Sequence, residues 1–446
     1  MLHLPSFRQL CVFLCSLCAT SVGAQALPDA LTALFQQAEA ANSTLRWRKS
    51  GEALANEALL TARAARLPDL SGTLSFSYLG DASLFDRNLS HFQRSPMPHY
   101  GNNYSLQAAQ ALYTGGALSA GIDLARIDVR EASLQTEADR QRLRLLIARH
   151  YLDICQLNNE EKVYHEHIRL AEKLLAMVQA RQAAGTALRN DLTRYELMLE
   201  QLRLSLRRVT DRRSIQDFRL QQAIGRHPEA DDSLCYRQAA TYRFDISALP
   251  VAPAALPDTA TEAIRHTAAW QSADLDIDRA AQLLRKERAA RLPKLSLLAE
   301  SHVDGPITIE VPPIDKNLHY WFVGVGIHYN FSALYKQKHA IRRARQAVEQ
   351  RRERLTVVEE QLLSERQAAL VDYRRSFTEL RTFRKSAELA AQNYDVVSHR
   401  YLNQLVLVTD MLDAANARLE ADLQASNAEI RIAYALCRLK YAEGAL

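Results

Sequence analysis

Ala64-Ala65-Arg66-Leu67-Pro68-Asp69-Leu70-Ser71 returns later in the chain as Ala289-Ala290-Arg291-Leu292-Pro293-Lys294-Leu295-Ser296. In both places a polar helical stretch meets a proline and then an alternating segment. Proline disfavours helical geometry in the residue before it, so each helix is expected to stop there. After it the period changes from helical to two. Leu70, Gly72, Leu74, Phe76 and Tyr78 fall on one side of the first segment, and Ser71, Thr73, Ser75 and Ser77 on the other. The plan before and after each proline is the same, so the chain is expected to carry an internal two-fold repeat.

Three further segments alternate. Tyr104 to Leu112 is the second strand, and Leu295 to Ala299 is a weaker third. The clearest is the last: Trp321, Val323, Val325, Ile327, Tyr329 and Phe331 face one way, and Phe322, Gly324, Gly326, His328 and Asn330 the other. The clear segments have about nine to eleven residues, the length a tilted strand needs to cross a bilayer. Aromatic residues gather at the strand ends (Tyr78, Tyr104, Tyr113, Tyr320, Trp321, Tyr329, Phe331), as in an interfacial girdle. An ordinary antiparallel sheet with one wet face shows the same alternation. Two hairpins in a mostly helical chain argue against that reading. The hairpin loops, roughly 80–103 and 301–319, are long, as on the extracellular side of membrane barrels.

Between and after the hairpins the pattern is helical. Apolar positions recur at 3-4 spacing over 116–184 and 333–403, with Arg, Glu and Gln between them, the signature of a coiled coil. At 1.5 Å per residue each stretch reaches about 100 Å. Each is expected to turn, near Gly185 or Gln404, into a shorter partner over 190–222 or 409–442. The 446 residues hold only 14 Gly and 13 Pro. That scarcity excludes an all-β fold and a disordered chain, and argues against a compact α/β enzyme with its many turns. Charged residues make up 24% and the net charge is +5, so the chain is no strong polyelectrolyte.

At the N-terminus Arg8 precedes an apolar run, Leu10 to Ala19, and then Ser21-Val22-Gly23-Ala24. The run is too short to span a bilayer, and residues 1–24 read as a cleaved signal peptide. Cys11, Cys15 and Cys18 leave with it. Cys155, Cys235 and Cys437 remain, an odd number whose spacing fits no metal or redox motif. They are expected as buried or semi-buried thiols. The chain thus divides into the leader 1–24, a first part 25–225 (hairpin about 67–113, helical hairpin 116–225), a linker 226–257, and a second part 258–446 (hairpin about 294–331, helical hairpin 333–442).

Four strands cannot close a membrane barrel, for which eight is the small end. An open edge in lipid leaves unpaired backbone groups costing several kcal/mol each. Several chains must therefore pool strands: two give eight, whose interior side chains fill, and three give twelve, with room for a lumen.

At this point the sequence resembles the TolC-like outer membrane efflux family, the outer membrane factors. The resemblance rests on Tyr113-Thr114-Gly115-Gly116 entering a long helix, on Ala184-Gly185-Thr186 with Asp191-Leu192, and on Tyr401 with Thr409-Asp410-Met411-Leu412-Asp413-Ala414. It implies an α+β membrane protein, in which a trimeric 12-stranded transmembrane β-barrel with four strands per chain is continued by a long α-helical coiled-coil tunnel in the periplasm. It implies residence in the Gram-negative outer membrane and export together with a periplasmic adaptor and an inner-membrane transporter. The family's tunnel closes at its periplasmic tips, where acidic residues from three chains form a constriction. The matching residues here are Asp410 and Asp413, whose spacing of three puts both on one helix face. Tyr401 and Asp191 match positions linking neighbouring helices in the closed state. Gly185 and Thr186 at one tip, and Gln404, Leu405 and Val406 at the other, match the surface where the adaptor docks. The strand Trp321, Val323, Val325, Ile327, Tyr329 is the expected lipid-facing one. The sequence departs from the family in two places: Val406 stands where an Arg would precede the first ring acid, and Gln404 replaces a Gly.

No catalytic set, cofactor motif or metal site is expected. His165-Glu166-His167 has i and i+2 spacing, which does not face one way on a helix, and these residues are expected at the surface. The Arg pairs 342–343, 351–352 and 374–375 alternate with Glu and Ala, so solvated helix faces explain them better than nucleic-acid binding does. Two other readings stay open: the outer-membrane component of a type I protein secretion system, and a non-pore periplasmic coiled-coil spacer or adaptor.

Overall fold

The computed structural model describes residues 29–226, 260–309 and 313–446. The leader, the linker beyond Arg226 and Cys235 lie outside the described residues. In chain order the elements are α1 (Asp29–Ala41), α2 (Ser43–Ala64), β1 (Asp69–Tyr78), β2 (Ala82–Leu84), β3 (Gln93–Ser95), β4 (Tyr100–Tyr113), α3 (Ala117–Ala183) and α4 (Arg189–Ala223). They continue as α5 (Ala260–Arg265), α6 (Ala268–Ala289), β5 (Lys294–Gly305), β6 (Leu318–His328), α7 (Ala333–Leu402) and α8 (Val408–Ala442). The described residues are mostly helical, with one four-stranded antiparallel sheet and a separate two-stranded one. α3 has 67 residues and α7 has 70. Neither contains a proline, and Gly121 is the one glycine in the pair, so nothing in the sequence interrupts the hydrogen-bond ladder.

Two compact units divide these elements. The first draws on the chain up to Trp47, Glu137–Thr267 and Glu359–Leu446, the second on Arg48–Thr136 and Ala268–Val358.

The second unit holds the sheet, in the order β1-β4-β5-β6, every neighbour antiparallel. Its register sorts the side chains. Leu74 lies opposite Tyr104, Tyr104 opposite Val303, and Leu295, Leu297 and Ala299 opposite Ile327, Val325 and Val323. That face is apolar. The other carries Ser71, Thr73, Ser75, Ser105, Gln107, Glu300, His302 and Asp304. Leu74, Phe76, Trp321, Val325 and Ile327 remain 61% to 78% exposed, and among the described residues β1 and β6 are unpaired edges. Arg285 with Asp123 (3.4 Å), Arg279 with Asp128 (2.9 Å) and Ser272 with Glu131 (2.9 Å) tie α6 to α3. Gly115 (φ +67°) lies so close to α6 that a Cβ would meet the Ala289 carbonyl at 2.8 Å.

The sheet departs from the expected spans. β5 runs on to Gly305 and β4 begins at Tyr100, so both long loops are shorter than the sequence suggests. The first contains the small β2–β3 hairpin. Polar residues past Ala299 obscured the strand, yet they alternate once their partners are known: His302 Nε2 donates to Glu300 Oε2 at 3.0 Å, and the ring stacks on Tyr320, with 5.0 Å between centroids. Tyr320 therefore lies on the polar face and not in an outer girdle, and Tyr104 sits well inside β4. Tyr329 follows β6 and packs edge-on against Phe331, 4.8 Å away.

Among the described residues the elements of the first unit are all helices. α1 packs Leu31, Leu34, Phe35 and Ala38 against Ile147, Tyr151 and Ile154 of α3, with Leu220 and Ile224 closing the cluster. Cys155 and Cys437 are buried in it, and burial pushes both thiols up to about 12, far from reactive. Asn42 ends α1 and caps α2: its Oδ1 accepts from Thr44 N at 2.9 Å, and its Nδ2 donates to the Ala223 carbonyl at 2.9 Å. α7 and α8 pair through Tyr373, Phe377 and Leu380 against Ile432, Leu436 and Leu439. No described helix is long and apolar enough to cross a membrane.

Candidate functional site

The four long helices of the first unit end in two hairpin tips. At the first, Gly185 N–H donates to Gln182 O (3.0 Å) and Thr186 N–H to Arg181 O (2.9 Å). At the second, Gln404 N–H donates to Tyr401 O (3.0 Å) and Leu405 N–H to Arg400 O (2.9 Å). Both are Schellman caps, which need a left-handed residue at the turn. Gly185 has φ +73° and Gln404 has φ +62°. Leu188 and Leu407, in extended backbone, then open α4 and α8 without a side-chain cap. Leucine has no acceptor to offer, and Asp410 makes up part of the deficit: its Oδ2 accepts the Leu407 N–H at 3.1 Å.

Beneath the tips the helices enclose one apolar core. Val178 of α3, Tyr195, Met198, Leu199 and Leu202 of α4, Tyr394 and Tyr401 of α7, and Met411 and Ala415 of α8 are buried together. Large side chains of this kind contribute about 1.5–3 kcal/mol each by leaving water. The Tyr195 and Tyr401 rings lie 6.2 Å apart. Burial raises the Tyr195 phenol, and neighbouring Tyr401 adds to it. The two hydroxyls influence each other's titration, yet Tyr195 Oη makes no hydrogen bond of good geometry. Burial also raises Tyr401; Asp191 acts in the same direction, while Arg181 opposes it.

The sequence-predicted residues separate here. Tyr401 is buried in the tip core within electrostatic reach of half-buried Asp191. Val406 packs onto that core, as does Val408. Leu405 and Leu407 point out, 72% and 71% exposed, and Leu188 at the first tip matches them at 70%. Thr186 Oγ1 donates to Arg181 O at 3.0 Å. Asp413 lies exposed one turn beyond Asp410. Trp321, Val323, Val325 and Ile327 share the apolar face of β6, in the second unit.

His167 is not at the surface. It is buried, with Nε2 2.9 Å from Asp422 Oδ2, while His165 and Glu166 remain exposed. Arg418 joins Asp422 (3.7 Å) and lies 4.8 Å over the Tyr394 ring. The signal was present: His167 falls on the 3-4 stripe of Tyr164, Ala171, Leu174 and Val178, which α8 covers. Among the described residues, no group of three or more His, Cys, Asp or Glu is arranged to hold a metal ion.

Residues 34–226 match the sequence profile of the outer membrane efflux protein family. The match places the chain in the outer membrane, with a periplasmic part. Solved structures agree in fold. The outer-membrane channel OprN superposes with a TM-score of 0.77 at 15% identity, over 94% of this chain and 90% of that one. The outer membrane protein VceC of Vibrio cholerae gives 0.74 at 16% identity, over 93% and 96%. The outer membrane channel CmeC of Campylobacter jejuni gives 0.74 at 14%, over 94% and 86%. No curated protein sequence matches the chain. Of these neighbours, OprN and CmeC are outer-membrane channels.

Proposed function

We propose that the chain is the exit duct of a tripartite efflux system: a passive homotrimer that exports small molecules with a periplasmic adaptor and an inner-membrane pump. The observation that carries this is the sheet. Four strands with an apolar, exposed face and two open edges are untenable alone in lipid, and three copies close into twelve strands with the Ser, Thr, Glu and His face around a lumen. The two-part plan, 25–225 and 258–446, supplies two strands from each part. The helical hairpins form a periplasmic tunnel. Asp410 and Asp413 ring its periplasmic end, with Tyr401 and Asp191 holding it closed, and the apolar tips around Gly185, Thr186, Gln404, Leu405 and Val406 receive the adaptor.

Detergent extraction of the outer membrane fraction should yield a trimer that conducts in planar bilayers; a soluble periplasmic monomer overturns the duct. Val325→Lys places a charge on the lipid face, at a cost of about 2–4 kcal/mol near the bilayer midplane. It should abolish membrane assembly; normal assembly would favour a coiled-coil spacer without a pore. Replacing Asp410 and Asp413 together with Ala should weaken channel block by multivalent cations, since stacked carboxylate rings attract them.

A further inference from the structure

We infer that Arg181 is the latch that fastens the two hairpin tips of each chain to one another and keeps the conduit closed. This rests on the gate reading above. The backbone end of Arg181 belongs to the first tip: its carbonyl accepts both the amide (2.9 Å) and the hydroxyl (3.0 Å) of Thr186. Its side chain belongs to the second tip. The guanidinium lies 5.6 Å from the centroid of the Tyr401 ring, and Nη1 donates to the Tyr401 carbonyl at 3.4 Å. That same carbonyl accepts the Gln404 N–H on which the second turn depends. A carbonyl has two lone pairs, so both bonds coexist. One residue thus holds the anchoring atoms of both turns.

The chemistry calls for arginine. A planar guanidinium stacks on an aromatic face and donates sideways at once, which an ammonium does less well. The position where a family latch would place its Arg is Val406, whose side chain packs into the tip core and offers no donor. The cation comes instead from the opposite hairpin. Arg400 occupies the same place in the second turn as Arg181 in the first, and it is exposed. The latch is therefore one-sided.

The test uses the full-length trimer in detergent and in planar bilayers, comparing wild type with Arg181→Gln and Arg181→Lys. Amide exchange at Gln404 and Leu405 should quicken about two- to five-fold in Arg181→Gln, the factor expected on losing an exposed cation–π contact, and less in Arg181→Lys. Channel conductance should rise in the same order. Wild-type exchange in Arg181→Gln overturns the latch. Faster exchange with wild-type conductance overturns its gating role. In that case unchanged cation block in the Asp410→Ala/Asp413→Ala double variant shows that the gate itself is misplaced, and weakened block shows that only Arg181 was. Should Arg181→Gln lose its helical circular dichroism, Arg181→Lys carries both readouts at smaller amplitude.

Discussion

The two hairpin tips are built to one pattern from different residues. Each ends its long helix with a Schellman pair of hydrogen bonds, each places a leucine in extended backbone before the return helix, and each puts an aspartate in that helix's first turn. The return helices α4 and α8 have 35 residues apiece. One tip has glycine at its left-handed position and the other has glutamine. The same cap closes α4 at Gly225 (φ +76°) and α8 at Gly444 (φ +69°), so four helix ends share one geometry and one of them departs from glycine. Where the backbone must be left-handed, glycine adopts it freely, whereas another residue bears about 1–2 kcal/mol. The four positions also differ in what surrounds them, and that difference ranks the consequences of changing each.

Gly225→Ala should be the most damaging. It adds the left-handed cost to a collision, because a Cβ would lie 2.7 Å from the Ala41 carbonyl oxygen, which cannot swing aside. A loss of about 3 kcal/mol is expected, read as a fall in thermal midpoint by far-ultraviolet circular dichroism. Gly444→Ala should follow at about 2 kcal/mol: its Cβ would meet Thr267 Cα at 3.1 Å and the His266 carbonyl at 3.2 Å, tight contacts that a small shift relieves. Gly185→Ala should cost only the backbone term, about 1 kcal/mol, since nothing lies within 4 Å of the added carbon. Equal losses at Gly225 and Gly185 would show that conformation alone decides, and that packing against α1 does not.

Much of this was legible in the sequence, for reasons that are local. The Leu-Pro junctions end α2 and α6 and start β1 and β5 because proline acts on its immediate neighbour. The rods α3 and α7 follow from an absence of breakers, and Gly185 marks its tip because glycine after a helix is itself a signal. Long-range partners were the harder part. β5 looked finished at Ala299 because Glu300, His302 and Asp304 read as loop; their alternation has meaning only beside Tyr320 and Asn103, which donates to Asp304. His167 looked like a surface residue until α8 covered it. Asp410, singled out for a ring, turned out also to accept a backbone N–H, a role that three residues of spacing can show and that leaves the carboxylate exposed. Arg181 carried no local mark at all. Its partner is Tyr401, on another helix, and the spacing along the chain between them encodes nothing.

Gln404 is the position where the comparison can be tested from the other side. If the second tip is a glycine turn occupied by another residue, Gln404→Gly should stabilise it. The gain is the left-handed cost removed, about 1–2 kcal/mol, less the larger freedom of glycine in the unfolded chain, about 0.5–1 kcal/mol, which leaves from about zero to about 1.5 kcal/mol, centred on about 0.7 kcal/mol. The side chain is exposed, so no packing is lost. The thermal midpoint should rise slightly while the Schellman amides of Gln404 and Leu405 exchange more slowly. A fall in stability would mean that the glutamine side chain makes a contact worth more than the turn it strains, and at a tip facing solvent in the single chain that contact would have to come from a neighbouring copy or from the docked adaptor. Measuring the variant in the purified protein and again with the proposed adaptor separates those two sources, because a gain seen in the first and reversed in the second would support the proposed docking surface at Gln404.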